Sequence, residues 1–358
     1  MRRIAYAFIA MLIGFTGCTS RETPTDPTAD AGGDASITAA PTWAPVALGG
    51  LPRQEVSGSA EDINDLGHIV GTTAHAAGGA RAFLWKNGVM RNLGTLGGEW
   101  STAAAINNAG QVVGTSARGD GKLRAFVWAK GTMTGLGTLG GSRSEAADIN
   151  ALGHVVGWSY LTGDPKVHPD ADAPIAHAFL WRNGTMTDLG TLGGTESRAL
   201  GINDKGHVVG TSLTRGGATH AFLWKDGVMR DIGGADASTY FITANAINWS
   251  DQAVGSGVDG FSIVAFSWAK GSRQILPLGG RAALANDVNA AGRIVGGLDP
   301  LDQLRQAFTF KTGIATILPR LPGGRTAEAV GINKNGDIVG WSEGSRIRVN
   351  EPVLWRRQ

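Results

Sequence analysis

The segment from Trp158 to Ala176 holds residue types that could bind a metal ion or a small ligand. It contains three aspartates and one histidine, at Asp164, His168, Asp170 and Asp172. Carboxylate oxygens and imidazole nitrogens ligate metals, and segments that connect regular elements often carry binding residues. The same composition is equally typical of a solvated insertion. Both interpretations stay open from the sequence, a solvated loop and a weak metal or ligand site.

The histidines outside this segment fall at two positions that recur along the chain. His68, His154 and His207 share one position, which other copies fill with Gln111, Gln252, Arg293 and Asp337. His177 and His220 share the other, which elsewhere holds Arg81, Arg124, Val264, Gln306 and Glu351. A position that accepts such different side chains is typical of a solvated strand residue. Copies distributed over a repeat also lack the convergent geometry of a reaction centre, so we predict no catalytic residue, resident metal or cofactor.

An asparagine turn recurs seven times and at first sight resembles a calcium-binding loop. The residue after each asparagine varies, and in chain order it is Asp65, Asn108, Ala151, Asp204, Trp249, Ala290 and Lys334. A calcium loop needs several carboxylates at fixed spacing, so this variation argues against one. An asparagine that hydrogen-bonds the backbone of its own turn explains the pattern better.

Several aromatic residues lie outside the recurring positions and could contact a ligand. The candidates for binding are Trp100, Trp158, Tyr160 and Trp341. Loop tryptophans and tyrosines suit stacking on sugars or anchoring a protein partner. Trp158 and Trp341 stand where the other repeats carry Thr72, Thr115, Thr211, Ser256 or Gly297. Burial of these rings at junctions between repeats is the alternative.

The N-terminal segment begins with Met1-Arg2-Arg3 and continues as an apolar run that ends at Phe15. This run is short for a membrane-spanning helix and is typical of a signal peptide. The following Phe15-Thr16-Gly17-Cys18 resembles the lipobox of bacterial lipoproteins, with phenylalanine in place of the usual leucine. The resemblance implies that residues 1–17 are removed and that Cys18 is acylated and anchors the protein to a membrane. An ordinary signal peptide with an incidental cysteine is the alternative.

Cys18 is the only cysteine of the chain, so no intrachain disulfide can form. By the sorting rule of lipoproteins, Thr19 rather than aspartate after the cysteine implies the outer membrane, on its periplasmic or outer side. Residues 18–42 are predicted to be the acylated cysteine followed by a disordered tether rich in Thr, Ala, Asp and Pro. Such a tether would span roughly 25–30 Å on average.

The composition of the remaining chain limits its partners and its fold class. Without residues 1–17 there are 30 basic and 30 acidic residues, so no net charge would steer the protein to nucleic acid. Glycine accounts for 55 of 358 residues, about twice the usual share, which predicts many turns and short strands. We therefore predict an all-β, monomeric protein with no nucleic-acid partner.

Three markers divide residues 43–358 into seven repeats, which we call units 1 to 7. The Ile/Val-Asn pairs end at Asn64, Asn107, Asn150, Asn203, Asn248, Asn289 and Asn333. The aromatic strands end at Trp85, Trp128, Trp181, Trp224, Trp268, Phe310 and Trp355. The Leu-Gly-Gly segments or their longer forms close at Gly50, Gly98, Gly141, Gly194, Gly234, Gly280 and Gly324. Spacings of 43, 43, 53, 45, 41 and 44 residues between the asparagines are typical of propeller blades or helical solenoids.

The local pattern favours the propeller, because short β-prone runs alternate with turn residues. Each unit predicts four antiparallel strands, a to d, with a hairpin such as Asn87-Gly88 between c and d. The chain ends after a c strand at Trp355 and begins with a d strand near Trp43. The sequence thus predicts a seven-bladed β-propeller closed by the N-terminal strand, which completes the last blade.

The same residues carry a family resemblance. Ala-Phe-Leu-Trp preceded by His177 or His220, with Leu-Gly-Thr-Leu-Gly-Gly downstream, resembles the HAF repeat of bacterial extracellular proteins. The likeness covers essentially all of residues 43–358 and weakens in units 5 to 7. It implies an exported protein and assigns no chemistry.

Two functions from different classes remain open from the sequence. The first is a lipid-anchored binding or interaction module of the cell envelope, with an envelope protein or a glycan as partner. The second is a propeller-type hydrolase or lyase that acts on an extracellular glycan or similar substrate at the axial mouth. A polar pocket with clustered carboxylates would favour the enzyme, and an aromatic surface without perturbed acids would favour the binding module.

Overall fold

Every regular element of the residues that the structure describes is a β-strand, as the glycine-bounded apolar runs predict. The computed structural model describes residues 42–51, 57–74, 79–161, 175–233, 241–301, 303–345 and 349–358, which fall in the compact unit Pro41–Gln358. These described residues form no helix, so none that could cross a membrane is found among them.

The strands follow the predicted order a, b, c, d within each unit. The a strands are β2 (Gly58–Ile63), β6 (Gly97–Ile106), β10 (Gly140–Ile149), β14 (Gly193–Ile202), β18 (Ile242–Ile247), β22 (Ala282–Val288) and β26 (Ala327–Ile332). The b strands are β3 (Ile69–Ala74), β7 (Val112–Arg118), β11 (Val155–Leu161), β15 (Val208–Thr214), β19 (Ala253–Asp259), β23 (Ile294–Asp299) and β27 (Ile338–Glu343).

The outer strands complete each unit. The c strands are β4 (Ala80–Lys86), β8 (Leu123–Ala129), β12 (Ala176–Arg182), β16 (Thr219–Lys225), β20 (Ser262–Ala269), β24 (Gln306–Lys311) and β28 (Asn350–Arg357). The d strands are β5 (Val89–Asn92), β9 (Thr132–Gly135), β13 (Thr185–Asp188), β17 (Val228–Asp231), β21 (Ser272–Ile275), β25 (Ile314–Ile317) and, at the start of the chain, β1 (Trp43–Ala47).

The strands pair antiparallel into five four-stranded sheets and one eight-stranded sheet. The larger sheet consists of β18–β21 and β22–β25, each in the four-stranded order, joined by one parallel bridge between Ile263 and Ala282. The prediction of four-stranded antiparallel units is therefore confirmed. One face carries the a–b and c–d turns, and the other carries the b–c turns and the d–a connections; we call them the a–b face and the b–c face.

The N-terminal strand supplies the fourth strand of unit 7. β1 pairs antiparallel with β28, with Pro45 opposite Trp355, and the resulting order is β1-β28-β27-β26. Trp43 is 8% exposed and packs in one apolar cluster with Trp355 and Leu318. The first strand is thus bound both by its ladder and by its side chains.

The apolar core lies between consecutive units, because both faces of each c strand carry apolar side chains. The phenylalanines of units 1 to 6 are essentially fully buried, namely Phe83, Phe126, Phe179, Phe222, Phe266 and Phe308. Burial of one such ring contributes roughly 1.5–3 kcal/mol. The a strands contact one another in chain order, and β26 also contacts β2.

Each a strand contains a bulge that explains the glycine of the b strand. In unit 1 the register shifts between Ala60 and Asp62, so that Glu61 is the extra residue. This moves the carbonyl oxygen of Ser59 to where a Cβ of Gly71 would lie. The equivalent b-strand glycine of the other units meets the same obstacle, so only a residue without a side chain fits there.

Candidate functional site

The asparagine that ends each a strand forms the turn expected from the sequence. In unit 1 the Oδ1 of Asn64 accepts hydrogen bonds from the backbone N–H of Leu66 (3.1 Å) and of His68 (3.0 Å). Gly67 lies at φ 75°, the left-handed region that suits glycine. The turn-forming role of the asparagine is therefore confirmed.

The same side chains also link consecutive units, which sequence reasoning missed. The Nδ2 of Asn64 donates to the carbonyl oxygen of Asn107 at 3.0 Å, and the bond recurs from unit to unit. The further donor–acceptor pairs are Asn107–Asn150, Asn150–Asn203, Asn203–Asn248, Asn248–Asn289, Asn289–Asn333 and Asn333–Asn64. We call these seven bonds the Asn circuit. The signal was the presence of asparagine in all seven units, since a turn alone also accepts Asp, Ser or Gly.

A central cavity opens on the a–b face, directly at the Asn circuit. Its volume is about 260 Å³. Every unit contributes its Ile/Val, its asparagine and the following residue, at positions 63–65, 106–108, 149–151, 202–204, 247–249, 288–290 and 332–334. We call the residues after the asparagines the rim residues. All share one backbone position but carry five different types of side chain, so the rim gives the cavity its chemical character.

Some rim side chains accept a hydrogen bond from the rim residue of the preceding unit. The N–H of Asp65 donates to Oδ1 of Asn108 at 2.9 Å, and the N–H of Ala151 donates to Oδ1 of Asp204 at 2.8 Å. The N–H of Lys334 donates to Oδ1 of Asp65 at 3.1 Å. The rim N–H groups therefore point toward the next unit along the edge of the cavity.

Asp65 is the most heavily bonded group of the rim. Its Oδ2 accepts from Nδ2 of Asn108 at 2.7 Å and lies 3.2 Å from Nζ of Lys334. Burial alone would raise the pKa of Asp65, but the bonds from Asn108 and Lys334 hold it below its usual value. Asp65 is thus an ionised, paired acceptor at neutral pH.

Three aspartates lie on the a strands next to the residues that line the cavity. Asp62, Asp148 and Asp287 each precede the Ile or Val of their unit, and each is half-buried. In Asp148, Oδ1 accepts from the N–H of Ile149 at 2.7 Å and Oδ2 accepts from the N–H of Ile202, in the next unit, at 2.8 Å. Asp62 and Asp287 make the equivalent pairs of bonds. These carboxyl groups therefore join neighbouring a strands.

The protonation of Asp148 departs from that of an ordinary aspartate. Burial raises its pKa to about 8 against the effect of the N–H donors, and the charges of Asp62 and Asp287 add to the rise. Its accessible surface is small, and protein atoms surround the carboxyl group closely, so desolvation dominates. Asp148 is therefore largely protonated at neutral pH, which is the state that a general acid requires.

The four aromatic residues expected on loops lie within strands instead. Trp100 belongs to β6, Trp158 and Tyr160 to β11, and Trp341 to β27. The assignment of these residues to loops was wrong, because the a and b strands extend past the residues that recur in every unit. The strands remain hydrogen-bonded to their neighbours over these extensions. Trp100, Tyr160 and Trp341 are half-buried, whereas Trp158 is only 6% exposed. A binding role for these residues stays a prediction.

Trp158 is enclosed by charged and aromatic side chains. The guanidinium carbons of Arg143 and Arg198 lie 5.1 and 4.7 Å from its ring centroid, and the ring of Tyr160 lies 5.4 Å away. Opposite Trp158 on the a strand stands Glu145, which is 1% exposed and bonds Arg143. Oε2 of Glu145 has no partner among the described residues.

Unit 7 repeats the combination of a b-strand tryptophan and an a-strand glutamate. Trp341 pairs across the strands with Glu328, which is 7% exposed. Glu328 accepts from Nδ2 of Asn286 at 2.9 Å and from Nη1 of Arg305 at 3.1 Å. Sequence reasoning missed these glutamates, although each lies five residues before the asparagine of its unit, exactly as the tryptophans lie eight residues after it.

Three histidines expected to be solvated are held by aspartates. Nδ1 of His177 lies 2.8 Å from Asp188, and Nδ1 of His220 lies 2.6 Å from Asp231, with the imidazoles 18% and 13% exposed. His207 pairs with Asp251 of the next unit at 2.8 Å. The solvated interpretation is wrong for these three. Two identical His–Asp pairs in neighbouring units indicate a structural link between strands c and d.

The remaining sequence candidates lie outside the described residues. These are Cys18 and the acidic candidates Asp164, His168, Asp170 and Asp172. Within the described part of the chain, no group of three or more His, Cys, Asp or Glu side chains is arranged to hold a metal ion.

Comparison with known proteins reveals the fold. No family model matches the chain, and a comparison with curated proteins finds no match. Among solved structures, the chain is similar to an acylaminoacyl peptidase of Pyrococcus horikoshii, with 12% identity, a TM-score of 0.56, and coverage of 84% of this chain and 52% of that one. The chain is also similar to a puromycin-hydrolyzing peptidase of Mycobacterium tuberculosis, with 12% identity and a TM-score of 0.56. This match covers 88% of this chain and 54% of that one. The chain thus spans about half the length of these peptidases.

A third structure matches over nearly its whole length. The β-propeller domain of the Trilobed protease from Pyrococcus furiosus, described as having an open velcro topology, shares 12% identity at a TM-score of 0.56 and is 94% covered by 84% of this chain. At such identity the likeness concerns the fold alone. Four-stranded antiparallel sheets in consecutive contact, together with this match, identify the fold of residues 42–358 as a β-propeller.

Proposed function

We propose that the protein is a closed, seven-bladed β-propeller that is anchored to the outer membrane through acylated Cys18 and acts as a binding module. The Asn circuit supports seven blades and closure, because its last bond runs from Asn333 back to Asn64. The pairing of β1 with β28 supports the same conclusion, since it gives unit 7 its fourth strand.

A truncation tests the closure. Removal of residues 43–50 deletes β1 and the buried Trp43, whereas removal of residues 19–42 deletes only the proposed tether. We expect a much lower melting temperature for the first variant and an unchanged one for the second. Equal melting temperatures would contradict closure by the N-terminal strand.

The anchor rests on the lipobox-like sequence that ends at Cys18. Several acyl chains on one residue would hold the propeller stably at the membrane. Intact mass of the membrane-extracted protein should give an N-terminal, acylated Cys18, and Cys18→Ser should block both modification and processing. An unmodified N-terminus would contradict the anchor.

The composition of the central cavity carries the binding function. Its wall offers apolar Ile/Val side chains, polar backbone groups and the 57% exposed indole of Trp249. Among the described residues, the titratable side chains that line it are Asp65, Asp204 and Lys334, and Asp65 is ionised and paired. Donors and an aromatic ring without a poised acid or base suit binding better than catalysis.

A binding screen tests this function. The intact protein is presented with an array of glycans and with envelope proteins, and binding is measured with and without variants of each face. We expect a ligand whose affinity depends on residues at one mouth of the propeller. Failure of every glycan and envelope protein to bind would contradict a role as a binding module.

Asp148 favours a second candidate, a hydrolase or lyase that acts on an extracellular glycan. Its raised pKa provides a proton donor at neutral pH, although both of its oxygens are bonded to backbone N–H groups. Turnover of polysaccharides by the intact protein that disappears in Asp148→Asn, while the variant stays folded, would support this candidate. Equal turnover by both proteins, or none by either, would contradict it.

A further inference from the structure

Three consecutive rim N–H groups, in units 4, 5 and 6, have no hydrogen-bond acceptor among the described residues, and the N–H of Asn108 in unit 2 has none either. In units 4, 5 and 6 the next rim residue is Trp249, Ala290 or Lys334, and none of these side chains carries an oxygen. The N–H groups of Asp204, Trp249 and Ala290 accordingly have no hydrogen-bond acceptor among the described residues. In units 1, 3 and 7 the equivalent N–H groups all bind a side-chain oxygen.

The oxygens that fill the equivalent positions show what the unfilled ones would accept. Two of the three are carboxylate oxygens, of Asp204 and Asp65, and one is an amide oxygen, of Asn108. The three side chains are therefore internal ligands of a donor that recurs around the rim. An external carboxylate or hydroxyl oxygen would satisfy the donors of Trp249 and Ala290 in the same way.

An aromatic ring adjoins these donors. The indole of Trp249 is 57% exposed and is the largest apolar group of the rim. Nζ of Lys205, in unit 4, lies 4.9 Å from its ring centroid and forms a cation–π contact with the indole. A partly exposed indole beside polar donors is the arrangement on which a sugar ring stacks.

The negative charges of the rim lie away from the unit 5–6 side or are paired. Asp204 accepts from Ala151 of unit 3, on the side away from Ala290, and Asp65 forms an ion pair with Lys334. Because the ammonium of Lys334 is paired with Asp65, the two residues together add no net charge to this part of the rim. The cavity of about 260 Å³ lies just below the roughly 300–1,000 Å³ of sites for drug-sized ligands, so a single sugar unit is the matching size.

We infer that the central cavity binds an acidic sugar, with its carboxylate and a neighbouring hydroxyl on the N–H groups of Trp249 and Ala290 and its ring on the indole of Trp249. This inference rests on the proposed binding function and specifies its ligand class. It assigns the site to the a–b face rather than to Trp158 and Trp341 on the b–c face.

The decisive variant supplies an internal carboxylate. Ala290 is exposed, and Ala290→Asp would accept from the N–H of Trp249 just as Asp204 accepts from Ala151. Ala151→Asp is the matched control, since it adds the same charge to the rim but caps the N–H of Asn108, three units from Ala290. Both variants are checked by thermal unfolding and should melt close to the wild type.

Calorimetric titration of the intact protein uses D-glucuronate-containing oligosaccharides, with cello-oligosaccharides as the neutral match. We expect the wild type to bind the acidic probe at least tenfold more tightly than the neutral one. Ala290→Asp and Trp249→Ala should weaken that binding at least tenfold, and Ala151→Asp should stay within about twofold of wild type.

Three results would overturn the inference. The first is no binding of the acidic probe, in which case the wider screen still decides the proposed function. The second is equal weakening by Ala290→Asp and Ala151→Asp, which would mean a general effect of charge. The third is a ligand whose binding depends on Trp341 and not on Ala290, which would leave a binding module with its site on the b–c face.

Discussion

Each face of the propeller has one position per unit at which the residue type varies between units. The two positions differ in burial, so the variation is under a different physical constraint on each face. On the a–b face the rim residues are exposed, apart from the half-buried Asp65. On the b–c side, the residue after the Val-Gly of each b strand is buried or half-buried, including Trp158 at 6% exposure. A variable position that is exposed can serve a ligand, whereas a variable position that is buried must first fit its neighbours.

Contacts of the b-strand position illustrate this constraint. Trp158 of unit 3 contacts Arg198 of unit 4, and a Cβ on Gly297 of unit 6 would lie 3.1 Å from Glu328 of unit 7. Large and small side chains on one unit are therefore matched by what the next unit presents. Packing therefore limits the variation on the b–c side, whereas the exposed rim residues of the a–b face are free of that limit.

The largest expected effect is that of Trp158→Ala. Removal of a buried tryptophan leaves a cavity and two guanidinium groups without their aromatic partner, so the free energy of unfolding should fall by about 3–5 kcal/mol. Chemical denaturation measures the change. Trp249→Ala is the control on the other face and should cost less than about 1 kcal/mol, because its indole is 57% exposed.

The binding role that the sequence predicts for Trp158 and Trp341 implies the reverse, namely that Trp158→Ala with Trp341→Ala weakens ligand binding at little cost in stability. Measurement of both quantities on the same variants separates the two accounts. A stable double variant that no longer binds a ligand would return the candidate site to the b–c face and contradict a purely structural role for Trp158.

The second-largest effect is expected at the asparagine of the Asn circuit, the position of the a–b face that is the same in all seven units. Oδ1 of Asn107 accepts from the N–H of Ala109 and of Gln111, and its Nδ2 donates to Asn150. Asn107→Ala leaves these buried groups unsatisfied, so we expect a loss of about 2–4 kcal/mol in the free energy of unfolding.

Asn108→Ala is the control for this change. Its side chain bonds Asp65 through both its oxygen and its nitrogen, but it is exposed, so the loss should stay below about 1 kcal/mol. Equal losses for the two variants would mean that the Asn circuit contributes no more than a surface turn.

These residues also mark what the sequence could predict. Strand order, antiparallel pairing and the Oδ1 bonds of the asparagines follow from local patterns, so they could be read in advance. The hydrogen bond donated by Nδ2 could not be predicted in this way. Its acceptor is a backbone carbonyl of another unit, and a backbone carbonyl leaves no mark on the residue type at its position. The surroundings of Trp158 were missed for a related reason, since Arg198 lies 40 residues away and contacts the ring only after the units stack.

The smallest expected effect is a pH dependence of the free energy of unfolding. It originates at Asp148, one of the aspartates on the a strands. The pKa of Asp148 is raised to about 8, far above its value in an unfolded chain. Between about pH 4 and pH 8 the folded protein keeps a proton that the unfolded chain has released, so the free energy of unfolding falls as pH rises. Asp65, Asp188 and Asp251 have lowered pKa values and so act below this window.

We expect a decrease of about 1–3 kcal/mol between pH 5 and pH 8, below the limit of about 1.4 kcal/mol per pH unit for a single group. Burial lowers the pKa of His68 and His154, which acts in the opposite direction, so the comparison with Asp148→Asn isolates the aspartate. The variant keeps one acceptor for Ile149 and should lose stability at pH 5 but show a flatter profile. Parallel profiles for the two proteins would mean that Asp148 is ionised across this range and does not cause the pH dependence.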